Sequence, residues 1–350
     1  MNDGGRAISR RAFASGALLV AAGSAAGWTS GWAPRASHAA GRRRATALPW
    51  TPIRDGAAYV TDPVLVPGGN VLAVPGESGT FVVDAKFAWL AGSIRADAES
   101  LSPTGRVALM NTHHHADHTS GNWAIGSDAL GVLSPVLAHA NAARRIAEQH
   151  ARYISDADSA VRAATDAALG DEVIAAAQTA AEKTRSLSAD AWAPSRELTS
   201  PRTEVEFGGN SYRVHHFGAG HTDGDLVFHA PDLNVVHTGD LVFNGLYPFC
   251  DQTGGVSLRG WIGSLWKAYE LCDAGTIVVP GHGPIGTRGL LRTQADFHER
   301  LLDAVASDQD AGVSRADATA KTYPFMEGLG FEQIRPICIG AAYDEVARAR

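Results

Sequence analysis

Short apolar runs alternate with turn residues from Ala57 onward, and the period of each run decides what it predicts. "NVLAVPG" (70–76) and "TFVVDAKF" (80–87) are rich in strand formers and are separated by "ESG", which predicts a hairpin. Ala88 to Leu101 carries apolar residues at helical spacing among good helix formers. Arg106–Met110 is a short apolar run and reads as a buried strand that ends at a histidine cluster. "SPVLAHANAARRI" (134–146) reads as a strand running into a helix near Asn141.

The pattern changes over 141–190. This stretch is Ala-rich, carries charges at helical intervals and holds few strand formers, so two or three helices are expected, with breaks near Asp156 and Gly170. It lacks the large apolar residues of an independent core and therefore reads as an inserted helical lid packed on the main domain. "WAPSRELTSP" (192–201) closes it. Strand patterning returns at Thr203: "TEVEFGGNSYRVHHF" is a hairpin around "GGN", and "DLVFHA" and "NVVHTGD" are two further strands. Ser257–Leu271 is helical, "TIVVPGHG" is a strand and turn, and the C-terminus is helical. Two batches of strands, each followed by helices, argue for two packed sheets with helices outside. No repeat of solenoid period is present.

Composition supports a globular chain: 350 residues, 45% apolar and 19% charged. The first residues stand apart. Arg10 and Arg11 precede an Ala/Gly-rich, mildly apolar run and then "ASHAA", which resembles a twin-arginine export signal over residues 1–39 and implies a periplasmic or extracellular protein. The bland alternatives are a basic disordered N-terminus or an uncleaved anchor. The run is short and broken by Gly, and no later segment has the length to span a bilayer. The expected organisation is signal 1–39, linker 40–56, a main domain over 57–300 with the helical insertion at 141–195, and a C-terminal helical extension over 301–350. Residues 1–39 hold four Arg and one Asp, leaving 26 basic and 36 acidic residues and a net charge of −10. That sign argues against nucleic acid as a partner and leaves a small-molecule substrate. Cys250, Cys272 and Cys338 form no C-x-x-C pair; one disulfide plus a free thiol is possible, with three small buried hydrophobes favoured.

The candidate chemistry lies in "NTHHHADHTSGN" (111–122), where His113, His114, His115, Asp117 and His118 crowd together. On an extended segment residues i and i+2 point the same way, so His113 and His115 can reach one ion, and after the turn Asp117 and His118 can face a second position. Imidazole and carboxylate suit borderline divalent ions, zinc above all. Three later residues stand at strand ends next to glycine: His221 in "GAGHTDGD", Asp240 in "VVHTGD" and His282 in "VVPGHG". His114 points away from its neighbours and is expected to orient a ligand or face solvent. His215, His216, His229 and His237 read as ordinary polar positions. Asp84, closing "TFVVD", is either an orienting partner of a ligand histidine or a turn aspartate. No G-x-S-x-G is present to supply a serine nucleophile.

H-x-H-x-D-H followed by G-H-T, G-D and G-H-G at strand ends resembles the metallo-β-lactamase superfamily over roughly residues 57–290. The resemblance implies an α/β fold, an αββα four-layer sandwich, with a site for two zinc ions per chain. It implies that His113, His115 and His221 hold metal one, that Asp117, His118 and His282 hold metal two, and that Asp240 bridges them. The implied activity is an exported dinuclear zinc hydrolase attacking an ester, thioester, lactone or amide carbonyl with a metal-bridging hydroxide, oriented by Asp117 as the catalytic residue. A β-lactamase is one alternative. One lactamase branch places a Cys in site two, and Cys250, ten residues beyond Asp240, is too distant to fill that place; another branch lacks the bridging aspartate. Asp240 makes the ligand set more like that of glyoxalase II and lactonases. An iron-dependent oxidoreductase of the same fold is the alternative from another class. It is weakened because flavo-diiron proteins usually carry Glu where this chain has His115. The segment 141–190 and the loop Phe243–Gly255 are expected to roof the cleft, with Tyr247, Phe249 and Trp261 either lining it or packing the loop onto the sheet.

Overall fold

A computed structural model describes residues 48–61, 68–125, 135–166 and 171–350. The export segment 1–39, residues 40–47 of the expected linker and the helix break expected near Gly170 lie outside the described residues. The N-terminal half holds β1 (Trp50–Ile53), β2 (Ala58–Thr61), β3 (Leu72–Gly76), β4 (Gly79–Val83), α1 (Ala88–Ser100), β5 (Val107–Met110), α2 (Ala116–Thr119), α3 (Asn122–Ile125) and β6 (Val136–His139). Three helices follow, α4 (Ala140–Glu148), α5 (His150–Asp166) and α6 (Asp171–Ser186), and then β7 (Arg196–Leu198). The second half holds β8 (Arg202–Phe207), β9 (Asn210–His215), β10 (Val227–Ala230), β11 (Val235–His237), α7 (Leu258–Glu270), β12 (Ile277–Val279), α8 (Gly289–Asp310), α9 (Arg315–Ala320) and α10 (Arg335–Arg348).

β1 to β7 form one sheet in sequence order, antiparallel through β4 and parallel from β4 to β7. The second sheet runs β12-β11-β10-β9-β8, with only β11 and β12 parallel. Alternation of side chains along a strand explains the layering. Phe81 and Val83 of β4 and Ala108 and Met110 of β5 face the second sheet, where they meet Tyr212, Val214 and Phe228. Val82, Val107 and Leu109 point the other way, onto Ile94 and Ala98 of α1. Both faces of β4 and β5 are therefore buried, and their apolar runs are unbroken. Phe81 stacks on Phe228 at 5.4 Å and tilts against Tyr212 at 4.8 Å, contacts each worth about 0.5–1.5 kcal/mol beyond burial. On the far side Leu258, Trp261 and Leu265 of α7, Leu301 and Val305 of α8, and Ile339 and Ala342 of α10 pack into one apolar layer with Val227 and Val236 of the second sheet. The result is the expected αββα sandwich.

The element boundaries differ from the sequence expectation in three places. β1 lies inside the stretch read as linker: it pairs with β2, and Trp50 Nε1 donates to Asp97 Oδ2 of α1 at 2.9 Å. α5 runs unbroken through Asp156, because Tyr153, Ala157, Ala160 and Ala164 form one buried stripe and Asp156 is paired with Arg152 one turn earlier at 3.3 Å. The chain breaks instead at Gln149. The boundary drawn at 300 falls inside α8, and α10 is part of the outer helical layer of the sandwich. The insertion does pack on the main domain: Tyr153 and Trp192 close over Ala116, Ala138, Ala142 and Ile146. No described helix is long and apolar enough to cross a membrane. All three cysteines are buried and free, and the Cys250 thiol, paired with that of Cys338 inside the fold, is held well above its ordinary pKa.

His298 of α8 is fully buried, with its ring 4.3 Å from that of Trp261, Gln294 at 3.2 Å from Nε2 and no partner at Nδ1. Burial pushes its pKa down to about 3. It is neutral in the fold, whereas an unfolded histidine takes up a proton below about 6.5. Its contribution is fully present above pH 6.5 and is lost as the pH falls toward 3, at about 1.4 kcal/mol per pH unit. His298→Gln is expected to lack this term. Chemical denaturation at pH 7 and pH 5 checks it: the stability of the wild type relative to the variant should fall on acidification.

Candidate metal centre

The strand ends converge on one edge of the sandwich. The residues that follow β4, β5, β11 and β12 bring Asp84, His113 to His118, Asp240 and His282 together, and the β9–β10 loop adds His221. The seven residues picked from the motif fall into two facing groups. In the first, His115 Nδ1 lies 3.1 Å from His113 Nε2 and 3.0 Å from His221 Nε2. Asp240 Oδ2 stands 3.7 Å from His113 Nε2 and 3.5 Å from His221 Nε2. In the second, Asp117 Oδ2 lies 3.1 Å from His282 Nε2 and 3.7 Å from His118 Nε2. Asp240 Oδ1 lies 3.1 Å from His118 Nε2 and 3.5 Å from His282 Nε2. The two oxygens of Asp240 thus divide between the groups.

The tautomers are set from behind. Asp84 has a left-handed backbone (φ 66°), uncommon outside glycine but tolerated by Asp. Its carboxylate accepts from Thr112 N (2.7 Å), Thr112 Oγ1 (2.8 Å) and His118 Nδ1 (2.7 Å). Of the two roles read for Asp84, it takes the orienting one: it fixes the proton of His118 at Nδ1 and turns Nε2 inward. Thr112 Oγ1 sits 3.0 Å from His113 Nδ1 and does the same there. Glycine is needed where the backbone crowds the acid. A Cβ on Gly239 (φ 52°) would lie 2.6 Å from Thr112 Cβ, and one on Gly281 would overlap Asp240 Oδ1. His237 supports the same turn: its Nδ1 accepts from Gly239 N at 3.1 Å and its Nε2 donates to Asn70 O at 3.1 Å. His215, His216 and His229 join neither group.

Burial takes His113 well below its ordinary pKa and brings His221 down to about 3, so both keep a free lone pair. In the second group burial is overcome. Asp240 and Asp117 raise His282 to about 9, and Asp240, Asp117 and Asp84 hold His118 well above 6.5. Those histidines in turn hold Asp117 and Asp240 below the usual carboxylate range, against their own burial. His118 Nε2, His282 Nε2 and Asp240 Oδ1 are buried, point at one another and make no hydrogen bond. Buried polar atoms without partners are costly, and a divalent cation between them is the partner that suits this donor set. In the first group Nε2 of His115 is committed to Asp251 Oδ2 at 2.9 Å, so its Nδ1 faces Nε2 of His113 and of His221 as a lone pair.

Residues 65–282 match the family described as the Metallo-beta-lactamase superfamily. The chain belongs to that superfamily. Among solved structures, the superfamily fold is shared with the DIM-1 metallo-beta-lactamase (TM-score 0.50, 16% identity, 73% of this chain and 98% of that one). It is also shared with a double mutant of the sec-alkyl sulfatase PisA1 (TM-score 0.55, 17% identity, 82% of this chain and 48% of that one). Among curated proteins, an uncharacterized protein of Mycobacterium tuberculosis is 34% identical over 110 residues, 30% of this chain and 48% of its own length. A type 2 metallo-beta-lactamase of Bacillus cereus is 28% identical over 95 residues, 27% of this chain and 37% of its own length. The chain thus spans about half or less of the length of the curated relatives it matches.

A cavity of about 670 Å³ opens over the residues of this superfamily member that could hold metal, His115, Asp117 and Asp240 among them. Its walls include Arg145, Gln149 and Arg152 from the helical insertion, Phe249 from the loop, and Ile334 and Ile337 from the C-terminal segment. Of the three aromatics considered for the cleft, only Phe249 lines it. Tyr247 and Trp261 are buried and donate to Met326 O (3.0 Å) and Leu241 O (2.9 Å), so they pack the loop onto the fold. His114 is buried rather than solvent-facing, with Nε2 3.5 Å from Asp251 Oδ2. Asp251 escaped the sequence reading. Its carboxylate accepts from Thr253 N and Oγ1, so in sequence it looks like an ordinary turn aspartate.

Proposed function

We propose that the protein is a dinuclear zinc hydrolase that cleaves a carbonyl-type bond, an ester, thioester, lactone or amide, in a small molecule bound in the cleft. The observation that carries this reading is the division of Asp240, one oxygen to each histidine group. A pair of zinc ions held there would supply Lewis acidity and water with a pKa near 7. The protein's own part is to fix the donors, orient the reactants and carry a proton. Asp117 lines the cleft, and His118 and His282 keep it ionised, which suits it to accept a hydrogen bond from the attacking water and to orient it. Cys250 also lines the cleft, but its raised pKa makes it no nucleophile. The all-nitrogen-and-oxygen donor set and the bridging aspartate favour this reading over a lactamase with a cysteine ligand. Export through residues 1–39 belongs to the same proposal and rests on Arg10, Arg11 and the apolar run after them.

Metal analysis of protein purified without added metal, followed by assays on a lactone, a thioester and nitrocefin, tests the reading. Two zinc ions per chain with turnover of the lactone or thioester is the expected result. One iron per chain would overturn it, and turnover of nitrocefin alone would make the protein a β-lactamase.

A further inference from the structure

We infer that Asp251 is a positioning residue for the first metal site, holding His115 in the tautomer and orientation that turn Nδ1 toward the metal and tying that histidine to the helical insertion. The inference rests on the metal reading above. His113 and His221 present Nε2 to the first group, whereas His115 presents Nδ1. A neutral imidazole carries one N–H, and an ionised carboxylate only accepts. Asp251 Oδ2 at 2.9 Å from His115 Nε2 therefore fixes the proton there and leaves the lone pair on Nδ1. Without that anchor Nε2 loses its acceptor, and nothing keeps the proton off Nδ1, which faces His113 Nε2 and His221 Nε2.

Asp251 is itself held rigidly. Its Oδ1 accepts from Thr253 N at 2.9 Å and Thr253 Oγ1 at 2.7 Å, leaving Oδ2 for His115 at 2.9 Å, with His114 Nε2 farther off at 3.5 Å. A Cβ on Gly254 would overlap Oδ2, so the following turn wraps closely around the carboxylate. From Thr253 the network reaches α4. Arg145 Nη1 donates to Thr253 O at 2.9 Å, and its Nη2 and Nε donate to Asp223 Oδ2 and Oδ1 at 2.8 and 3.3 Å. Asn141 Nδ2 donates to Asp223 O at 2.9 Å, and Asp223 N donates to Gly254 O at 2.9 Å. The insertion that walls the cleft is thus hydrogen-bonded to the loop that aims a metal-binding histidine. A carboxylate–histidine pair of this kind typically changes metal affinity or activity by roughly 10–100-fold when removed.

The test uses the full chain, stripped of metal by dialysis against a chelator. Zn²⁺ is titrated in competition with a chromophoric chelator, and Co²⁺ is titrated with its visible spectrum recorded. The wild type should take up two ions. Asp251→Asn should weaken one site by roughly 10–100-fold, leave the other unchanged, alter the Co²⁺ bands of the weakened site, and lower kcat with little change in KM. Asp251→Glu should recover part of the affinity. Arg145→Gln, which leaves the carboxylate in place, should weaken the same site by a smaller factor and guards against a folding defect in the first variant. Unchanged zinc affinity and Co²⁺ spectrum in Asp251→Asn would overturn the inference alone. So would a third ion in the wild type that this variant loses, because His114, His115 and Asp251 would then be a cation site of their own. A wild type that binds no Zn²⁺ would overturn the metal reading together with it.

Discussion

Asp240→Ala is expected to lower turnover by roughly a thousand-fold or more and to reduce bound zinc from two ions per chain to one or none. The side chain is almost completely buried, and its two oxygens face four imidazole nitrogens at 3.1–3.7 Å. Among the described residues no other carboxylate reaches both groups. Removing it takes away one donor from each site and the shared negative charge between two cations. If that costs the several kcal/mol of transition-state stabilisation that a metal site supplies, the rate falls by about three orders of magnitude. Metal content by elemental analysis and kcat on the best substrate of the panel check this; a variant that keeps two zinc ions and full turnover would refute the bridging role. A second signature follows in chelator-treated protein. His282, raised to about 9 chiefly by Asp240 against its burial, adds stability below pH 6.5 that is lost as the pH rises through 9. Chelated wild type should weaken between pH 6.5 and 9, and chelated Asp240→Ala should show less of that slope.

The parts of this fold that could be read in the sequence are those where one physical constraint acts locally. Phe81 and Val83 against Val82 in β4, and Ala108 and Met110 against Leu109 in β5, must satisfy apolar layers on both faces, so their runs are continuous and easy to see. β1 was invisible for the opposite reason. It has four residues, contains Pro52, exposes Thr51 and Pro52, and is anchored through Trp50 to Asp97, 47 residues away. Asp156 looked like a helix break because an acid in an Ala-rich run has no apolar duty; its ion pair with Arg152 keeps it in the helix. In the site, four donors were legible because they crowd into H-x-H-x-D-H directly after β5, and His221, Asp240 and His282 because each stands beside glycine, where a polar side chain would otherwise be wasted. Asp251 was not, since its bonds to Thr253 are those of any turn and its bond to His115 spans 136 residues. The substrate is illegible for the same reason. The walls of the cleft come from three segments, around Arg145, Phe249 and Ile337, that only the fold brings together.

Asp117→Ala is expected to empty the second site, leave the first filled, and lower turnover by roughly 10²–10⁴-fold, the range for a removed acid–base group. The asymmetry follows from geometry. The first group, His113, His115, His221 and Asp240, contains no atom of Asp117, whereas the second group is Asp117, His118 and His282. Without Asp117, His282 loses its 3.1 Å partner, and His118 keeps Asp84 and Asp240. One tight and one lost zinc site should therefore appear in titration. Asp117→Asn separates the two roles of the residue, because an amide oxygen can still act as a weak ligand but cannot take a proton from water. If Asn restores zinc at the second site while turnover stays low, the carboxylate acts on the reacting water as well as on the metal. If Asp117→Ala retains full activity with two zinc ions bound, both roles are wrong, and the nucleophile must be oriented by another group that lines the cleft.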